Sequence, residues 1–333
     1  MRILITAPYN EHSRDALRKA LGEIIYHPWK SNGRAFEPKE LINILQQSEA
    51  EAFITEHDKV TIEVIHSFPH LKFIGVCRGT PSNVDINAAS QMGIPVFYTP
   101  ARNAQAVAEM FIANIITFLR NTMAACQWLQ HESWESGAHD SYLQFKGNEL
   151  AGKTIGIVGF GAIGRRIADM VKDFPCKIQF YDPYIVNDYA RCKKVSLEEV
   201  FESSDIVSIH LPANKETESM INHQLLSKMK PEAIFVNTSR AMVVKRDDLL
   251  KVLESKKIKG AILDVFDHEP PDETDYKIIH LPNVLATPHI AGATHEVEDH
   301  HAEIMNRNLL NWFQGNNGKE SFVFNLKEIA KTV

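Results

Sequence analysis

The chain has 333 residues, 44 % hydrophobic and 23 % charged, and its 36 Lys and Arg against 42 Asp and Glu leave a formal net charge of −6. Single cores stop growing at roughly 250 to 300 residues, so two domains are expected and extensive disorder is not. The acidic balance and a pI near 6.2 exclude nucleic acid as the main partner, because phosphate binding needs clustered Lys and Arg.

The amino-terminal apolar run Ile3–Ala7 stops at Pro8. It is too short for a signal peptide or a membrane span and reads as a first strand, so no membrane partner is expected. Cys77, Cys126, Cys176 and Cys192 lack CxxC spacing, which predicts neither a zinc knuckle nor a disulfide framework, and places the chain in the reducing cytoplasm. No repeat of fixed period points to a solenoid or propeller.

In chain order, strands are predicted near Arg2–Thr6, Ala52–Thr55, Lys72–Val76 and Pro95–Tyr98, with amphipathic helical stretches such as Ser13–Leu21 and Pro38–Gln47 between them. Asn103–Asn121 is too long and apolar for a strand, though interrupted at Asn114 and Arg120, and reads as a buried helix linking two domains. Gln127–Leu150 holds Trp128, Trp134 and Tyr142 with little periodicity, and is expected to be an extended arm that packs on something else, a partner subunit being one candidate.

A second series follows at Thr154–Val158, Ile178–Tyr181, Asp205–His210, Ala233–Asn237, Ala261–Asp264 and Val284–Thr287. The helix Glu296–Phe313 closes the pattern, ended by Gly315–Gly318. Alternation of apolar strands with helices predicts an α/β fold with two doubly wound parallel sheets.

Gly159, Gly161 and Gly164 have G-x-G-x-x-G spacing directly after a predicted strand and at the start of the helix Ile163–Lys172. In this motif the first glycine permits a tight turn, the second lets backbone approach a pyrophosphate, and the third lets helix and strand pack closely. The helix start then holds the phosphates. The next strand ends in Asp182, eighteen residues after Gly164, where a carboxylate can accept from both ribose hydroxyls of NAD. A 2′-phosphate would face that carboxylate as a like charge, so NADH is preferred over NADPH.

Arg240, Glu269 and His289 sit where strands of the second series should end, the place where open α/β sheets bind ligands. Reduction of a carbonyl by hydride needs a cation for the substrate carboxylate, a proton donor for the developing alkoxide, and a group that orients the donor. Arginine suits the first task because its fork binds a carboxylate bidentately. A carboxylate beside imidazole fixes its tautomer and raises its pKa.

On these residues, and on Leu71–Gly79 with Asn83-Val-Asp85, Val107-Ala-Glu109, His210-Leu-Pro212, Asn237-Thr-Ser-Arg240, Asp264–Pro270 and Thr287-Pro-His289, the chain resembles the D-isomer-specific 2-hydroxyacid dehydrogenase family. The resemblance implies a flavodoxin-like substrate-binding domain of residues 1–101 plus 290–333, a Rossmann NAD-binding domain of residues 102–289, and an active site in the cleft between them. It also implies a homodimer, with 127–150 as the dimerisation arm, and an NAD-dependent oxidoreductase acting on a small 2-oxo or 2-hydroxy acid.

By the same resemblance, Arg240, Glu269 and His289 are catalytic. The cofactor contacts fall on Gly159, Phe160, Gly161, Ala162, Ile163, Gly164, Asp182, His210, Leu211, Pro212, Thr238, Ser239, Arg240, Asp264, His289 and Gly292. Arg78, Gly79 and Thr80, with Arg240 and His289, are expected to hold the substrate. Glu269 separates the chain from the formate dehydrogenases, which pair their histidine with glutamine. Ala241 and Thr80-Pro81 depart from the family's usual glycines and alter the fine shape of the substrate pocket. Only twenty residues follow Phe313, so a regulatory extension like that of many phosphoglycerate dehydrogenases is not expected. Among the remaining reductases, of glyoxylate, hydroxypyruvate or sugar-acid type, the sequence does not choose.

The alternative class is an NAD-sensing binding protein resembling the family's corepressor relatives, with weak or vestigial activity. The full catalytic set, and the absence of a long proline-rich tail, favour the enzyme. The cluster His295, Glu296, Glu298, Asp299, His300 and His301 reads as a solvated helix start rather than a metal site, and no metal is expected.

Overall fold

The computed structural model describes residues 1–131, 134, 137–315 and 322–329. The chain divides into two compact units, one formed by Met1–Asn103 together with the chain from Thr294 onward, the other by Ala104–Ala293.

In the first unit, strands β1 (Arg2–Ile5), β2 (Glu23–Tyr26), β3 (Ala52–Thr55), β4 (Ile74–Val76) and β5 (Val96–Tyr98) alternate with helices α1 (Glu11–Leu21), α2 (Pro38–Ser48), α3 (Ile62–Ser67) and α4 (Ile86–Gln91). All strand pairs are parallel, in the order β2-β1-β3-β4-β5. Successive residues of a strand face opposite sides, and helices cover both, so both sets must be apolar. Leu4 and Phe53 enter one cluster, while Ile3, Ile5 and Ile54 enter the other.

In the second unit, helices α5 (Ala104–Leu119), α6 (Thr122–Gln130) and α7 (Ala138–Gln144) precede a seven-stranded sheet. Its elements in chain order are β6 (Thr154–Val158), α8 (Ala162–Met170), β7 (Lys177–Tyr181), β8 (Lys193–Lys194), α9 (Leu197–Ser203), β9 (Ile206–Ile209), α10 (His223–Leu226), β10 (Ile234–Asn237), α11 (Arg246–Glu254), β11 (Gly260–Leu263), α12 (Glu273–Ile279) and β12 (Val284–Ala286). The strands are again all parallel, ordered β12-β11-β10-β9-β6-β7-β8. The order reverses between β6 and β9, which puts a ligand crevice outside the carboxyl ends of those strands. Helices α13 (Glu296–Phe313) and α14 (Leu326–Ile329) belong to the first unit, where Ala302, Met305 and Leu309 of α13 pack on its sheet.

Four expectations are corrected. The edge strands β2 and β8 were not predicted. The segment Gln127–Leu150, expected to be an irregular arm, carries the last turn of α6 and all of α7, with the exposed Leu129, Tyr142 and Leu143 among its described side chains; 132, 133, 135 and 136 lie outside the described residues. Helix α5 runs through Asn114 without a break and ends at Leu119. His301, expected on a solvated helix start, is fully buried, its Nε2 donating to the Pro8 carbonyl at 2.7 Å and its Nδ1 facing Arg102 Nη1 at 3.1 Å. The predicted stop Gly315–Gly318 lies beyond the described residues after Gly315.

Candidate active site

The glycine loop joins β6 to α8. Gly159 has φ +89°, a left-handed conformation that a side chain strains, and a Cβ there would lie 2.6 Å from the His210 carbonyl oxygen. A Cβ on Gly164 would lie 2.7 Å from the Gly159 carbonyl oxygen and 3.0 Å from Ile157, so this glycine sets how closely α8 approaches β6. Beside Gly161 a Cβ would meet nothing within 4 Å. That open space next to a helix start, whose first N–H groups have no intrahelical acceptor, fits a pyrophosphate approached by backbone. Ala162, Ile163 and Gly164 form this first turn. Phe160, expected among the cofactor contacts, turns its ring into the core, stacked on Phe180 at 4.0 Å between centroids.

Asp182 follows β7 and closes the loop: its Oδ2 accepts from Phe160 N and its Oδ1 from Tyr184 N, both at 2.9 Å. Each oxygen keeps a lone-pair direction for a ribose hydroxyl. At the ends of β9 and β10, His210 Nδ1 and Thr238 Oγ1 are buried without a hydrogen-bond partner among the described residues. Burial holds the His210 imidazole down at about 3, so it is neutral, and its Nε2 pairs with Ser208 Oγ at 2.8 Å. Unpaired buried polar atoms at a strand-end crevice are the expected mark of a polar ligand. Leu211 is buried and Pro212 exposed beside them.

Two turns, each organised by one buried side chain, present the ionisable residues. After β10, Asn237 Oδ1 accepts from Ser239 N at 3.0 Å and Ser239 Oγ at 2.9 Å, while its Nδ2 donates to the Arg240 carbonyl at 3.0 Å. Arg240 is thereby exposed at the strand end. Ser239, expected at the cofactor, is 7 % exposed with its hydroxyl committed to this turn.

After β11, Asp264 is 1 % exposed. Its Oδ1 accepts from Thr287 Oγ1 at 2.6 Å and Ile290 N at 2.9 Å, and its Oδ2 from Ala291 N at 2.8 Å. These bonds bracket His289, whose φ of 55° is a left-handed conformation that a histidine holds only where surroundings impose it. Gly292 follows directly and is half-buried.

The ring so placed meets Glu269: His289 Nδ1 lies 2.8 Å from Oε2 and 3.0 Å from Oε1. An ionised carboxylate only accepts, so Nδ1 carries the proton and Nε2 is left for other partners. Glu269 rides on a segment that Arg246 ties down, with Nε 3.2 Å from Asp267 Oδ2, and Nη1 2.9 Å from Asp272 Oδ2 and 3.2 Å from the buried Asp275 Oδ1. The backbone N–H of Asp275 and the Arg246 guanidinium hold the Asp272 carboxyl down at about 2. His268, Asp272 and Asp275 have metal-ligand spacing, but the cation they surround is Arg246.

Arg240, Glu269 and His289 therefore line one cavity, of about 640 Å³. Arg78, Gly79 and Thr80 follow β4 in the first unit, where the Arg78 carbonyl accepts from Thr99 N at 2.9 Å. Sequence reasoning missed Asn237 and Arg246 as organisers of the site, and assigned Asp264 to the cofactor without seeing that it also clamps the His289 turn. The one available signal was position, since Asn237 and Asp264 end or directly follow strands.

Residues 112–291 match the family model for the D-isomer specific 2-hydroxyacid dehydrogenase, NAD binding domain. Over 312 residues the chain is 58 % identical to YoaD of Bacillus subtilis (strain 168), covering 94 % of this chain and 91 % of that protein. It is 33 % identical over 295 residues to the hydroxypyruvate reductase of Thermotoga maritima, covering 88 % of this chain and 94 % of the reductase. Among solved structures, the acyclic imino acid reductase Bsp5, in complex with NADPH and D-Arg, superposes with a TM-score of 0.78 at 26 % identity, covering 95 % of this chain and 98 % of that one. No helix among the described residues is long and apolar enough to cross a membrane. With its glycine loop, its two parallel sheets and these relatives, the chain belongs to the D-isomer specific 2-hydroxyacid dehydrogenase family of NAD-dependent oxidoreductases.

Proposed function

We propose that the chain interconverts a small 2-oxo acid and its D-2-hydroxy acid, with NADH preferred over NADPH. The observation that carries this reading is the His289–Glu269 pair at 2.8 Å in a cavity that Arg240 also lines. The Ala104–Ala293 unit would hold the dinucleotide through Gly161, the first turn of α8 and Asp182, and the nicotinamide supplies or takes the hydride when bound.

Arg240 binds the substrate carboxylate through its planar fork. Arg78, Gly79 and Thr80 are assigned to the same carboxylate on the family resemblance alone. Glu269 keeps the proton of Nδ1 in place and orients the ring, so that the imidazolium donates from Nε2 to the developing alkoxide. In the oxidative direction the neutral ring takes that proton back.

Asp182 supports the NADH preference, since a 2′-phosphate about 4 Å from it meets a repulsion of roughly 1 to 4 kcal/mol. Four free thiols are in keeping with a cytoplasmic protein. The exposed Leu129, Trp134, Tyr142 and Leu143 support a homodimer, which light scattering on the eluted protein checks.

Absorbance assays with NADH and NADPH against glyoxylate, hydroxypyruvate, pyruvate and phenylpyruvate test the reading. NADH oxidation with at least one acid, slower with NADPH, is expected. No turnover on any would overturn the enzyme reading, and faster turnover with NADPH the cofactor preference.

A further inference from the structure

The carboxylate that orients His289 sits on a stretch of chain with few fixings of its own. Between β11 and α12, residues 265–271 take part in no backbone–backbone hydrogen bond among the described residues. Asp267, His268, Glu269 and Pro270 are exposed, and Pro270 and Pro271 have no N–H to donate. An exposed loop without a backbone ladder opens at low cost. Yet the bond of 2.8 Å between His289 Nδ1 and Glu269 Oε2 needs this loop to hold one position.

Side chains hold it. His268 N donates to Asp275 Oδ2 at 3.1 Å, and Phe266 N to Glu269 Oε1 at 3.5 Å, a bond internal to the loop. Asp267, two residues before Glu269, meets Arg246, with Oδ2 3.2 Å from Nε. Arg246 Nη1 also donates to Asp272 and to the buried Asp275. The base of this side chain is rigid, because Arg246 opens α11, whose Leu249, Val252 and Leu253 are packed in the core.

The start of α12 is already closed without the guanidinium: Asp275 N donates to Asp272 Oδ1 at 2.8 Å and Asp272 N to Asp275 Oδ2 at 3.2 Å. Asp267 takes no part in that cap, so its contact with Arg246 fixes the loop ahead of the helix, and the group this loop presents is Glu269. Arg240 does not depend on the tie, since Asn237 closes its turn. Arg246 also borders the cavity, but a substrate carboxylate approaching it would meet the charge of Asp267, Asp272 and Asp275 as well.

We propose that Arg246, acting through Asp267, is a positioning residue for the reaction: it fixes the loop on which Glu269 meets His289, and so sets how often the ring stands ready to pass its proton. This rests on the proposed function and adds to it a residue that acts on the acid–base pair without holding the substrate.

The test is single-turnover reduction by NADH of whichever of glyoxylate, hydroxypyruvate, pyruvate and phenylpyruvate the wild type reduces fastest. It is run on Arg246→Met, Asp267→Ala, Glu269→Gln and the double variants that join each of the first two to Glu269→Gln. Arg246→Met should lower the rate at saturating acid by about ten- to hundredfold, the range for hydrogen bonds to a charged group. Asp267→Ala, which leaves the buried Asp275 paired with Arg246, should lower it by about tenfold, and keeps the test decisive if Arg246→Met does not fold. The acid concentration that gives half the maximal rate should stay within about threefold of wild type, because the binding supplied by Arg240 is kept. In the Glu269→Gln background either substitution should cost less than about threefold more, since residues that act through one group are not additive. Thermal melting and NADH fluorescence titration establish which variants fold and bind cofactor.

A wild-type rate in folded Asp267→Ala, a rise in the half-saturating acid concentration in place of a fall in rate, or equal losses with and without Glu269 would each overturn this proposal while the enzyme reading stands. If the wild type reduces no 2-oxo acid, the enzyme reading fails and this proposal with it.

Discussion

The two parallel sheets of this chain obey one winding rule, but the ionisable groups just after β3 of one and after β11 and β12 of the other sit in different surroundings. In the first unit, Glu56 just after β3 is 5 % exposed, its Oε1 2.7 Å from Arg102 Nη1, which in turn lies 3.1 Å from His301 Nδ1. Burial works to raise the Glu56 carboxyl, but Arg102, His57 and His301 hold it below the usual carboxylate range. Those charges satisfy one another. In the second unit, His289 and Glu269 keep side chains 47 % and 42 % exposed, and His210 and Thr238 bury polar atoms with no partner among the described residues. Buried polar atoms without a partner among the described residues occur in the first unit too, Thr99 Oγ1 directly after β5 among them, so what sets the second unit apart is an exposed His–Glu pair in a cavity that an arginine also lines.

One strong break of that contrast is Arg240→Met, which removes the cation and its bond to the Ser239 carbonyl at 2.7 Å and keeps the turn bonds of Asn237. If Arg240 is held for the substrate, kcat/KM for a 2-oxo acid should fall by about ten- to hundredfold, the loss of hydrogen bonds to a charged group, while NADH fluorescence titration stays near wild type. An unchanged kcat/KM would return Arg240 to the scaffold.

His210 sharpens the comparison through pH. Its folded pKa of about 3 lies below the ordinary 6.5, so the unfolded chain gains a proton first as pH falls. Its stabilisation is complete above pH 6.5 and is lost progressively below it. The loss from pH 6.5 to 5 is about 2 kcal/mol. Urea unfolding at pH 7 and pH 5 should show this loss in wild type beyond that of His210→Gln. Equal losses in the two proteins would mean that His210 is not held neutral.

The glycine loop gives the smallest and finest contrast. Gly164→Ala forces a Cβ against backbone and should cost about 1 to 3 kcal/mol of stability, as overpacking does. Gly161→Ala enters open space and should leave the melting temperature unchanged while weakening NADH. A Gly161→Ala protein that binds NADH normally would remove that glycine from the cofactor cradle.

Much of this was legible in the sequence because it follows from periodicity and spacing. Ala52–Thr55 and Thr154–Val158 coincide with β3 and β6 since central strands buried on both faces are continuous apolar runs. The helix Glu296–Phe313 was equally plain. Edge strands carry no such mark: β8 is two lysines, and β2 follows α1 after Gly22 alone. His301 looked like one more polar residue at a helix start, and only the fold shows Pro8 and Arg102 closing over it. For the same reason Arg240, Glu269 and His289 were visible as chemistry, while the residues that aim them were not. Asp264 and Arg246 act through hydrogen bonds to chain distant in sequence, which spacing does not encode, and Asn237 through a local turn, bonding residues two and three ahead, that an asparagine ending a strand does not by itself announce.

The most direct test of the central claim is His289→Ala, measured by single-turnover reduction of a 2-oxo acid and, on the same protein, by NADH titration. Turnover should fall by roughly 10² to 10⁴, the usual contribution of a positioned acid–base group, with NADH affinity nearly unchanged. Turnover close to wild type in a variant that still binds NADH would contradict it.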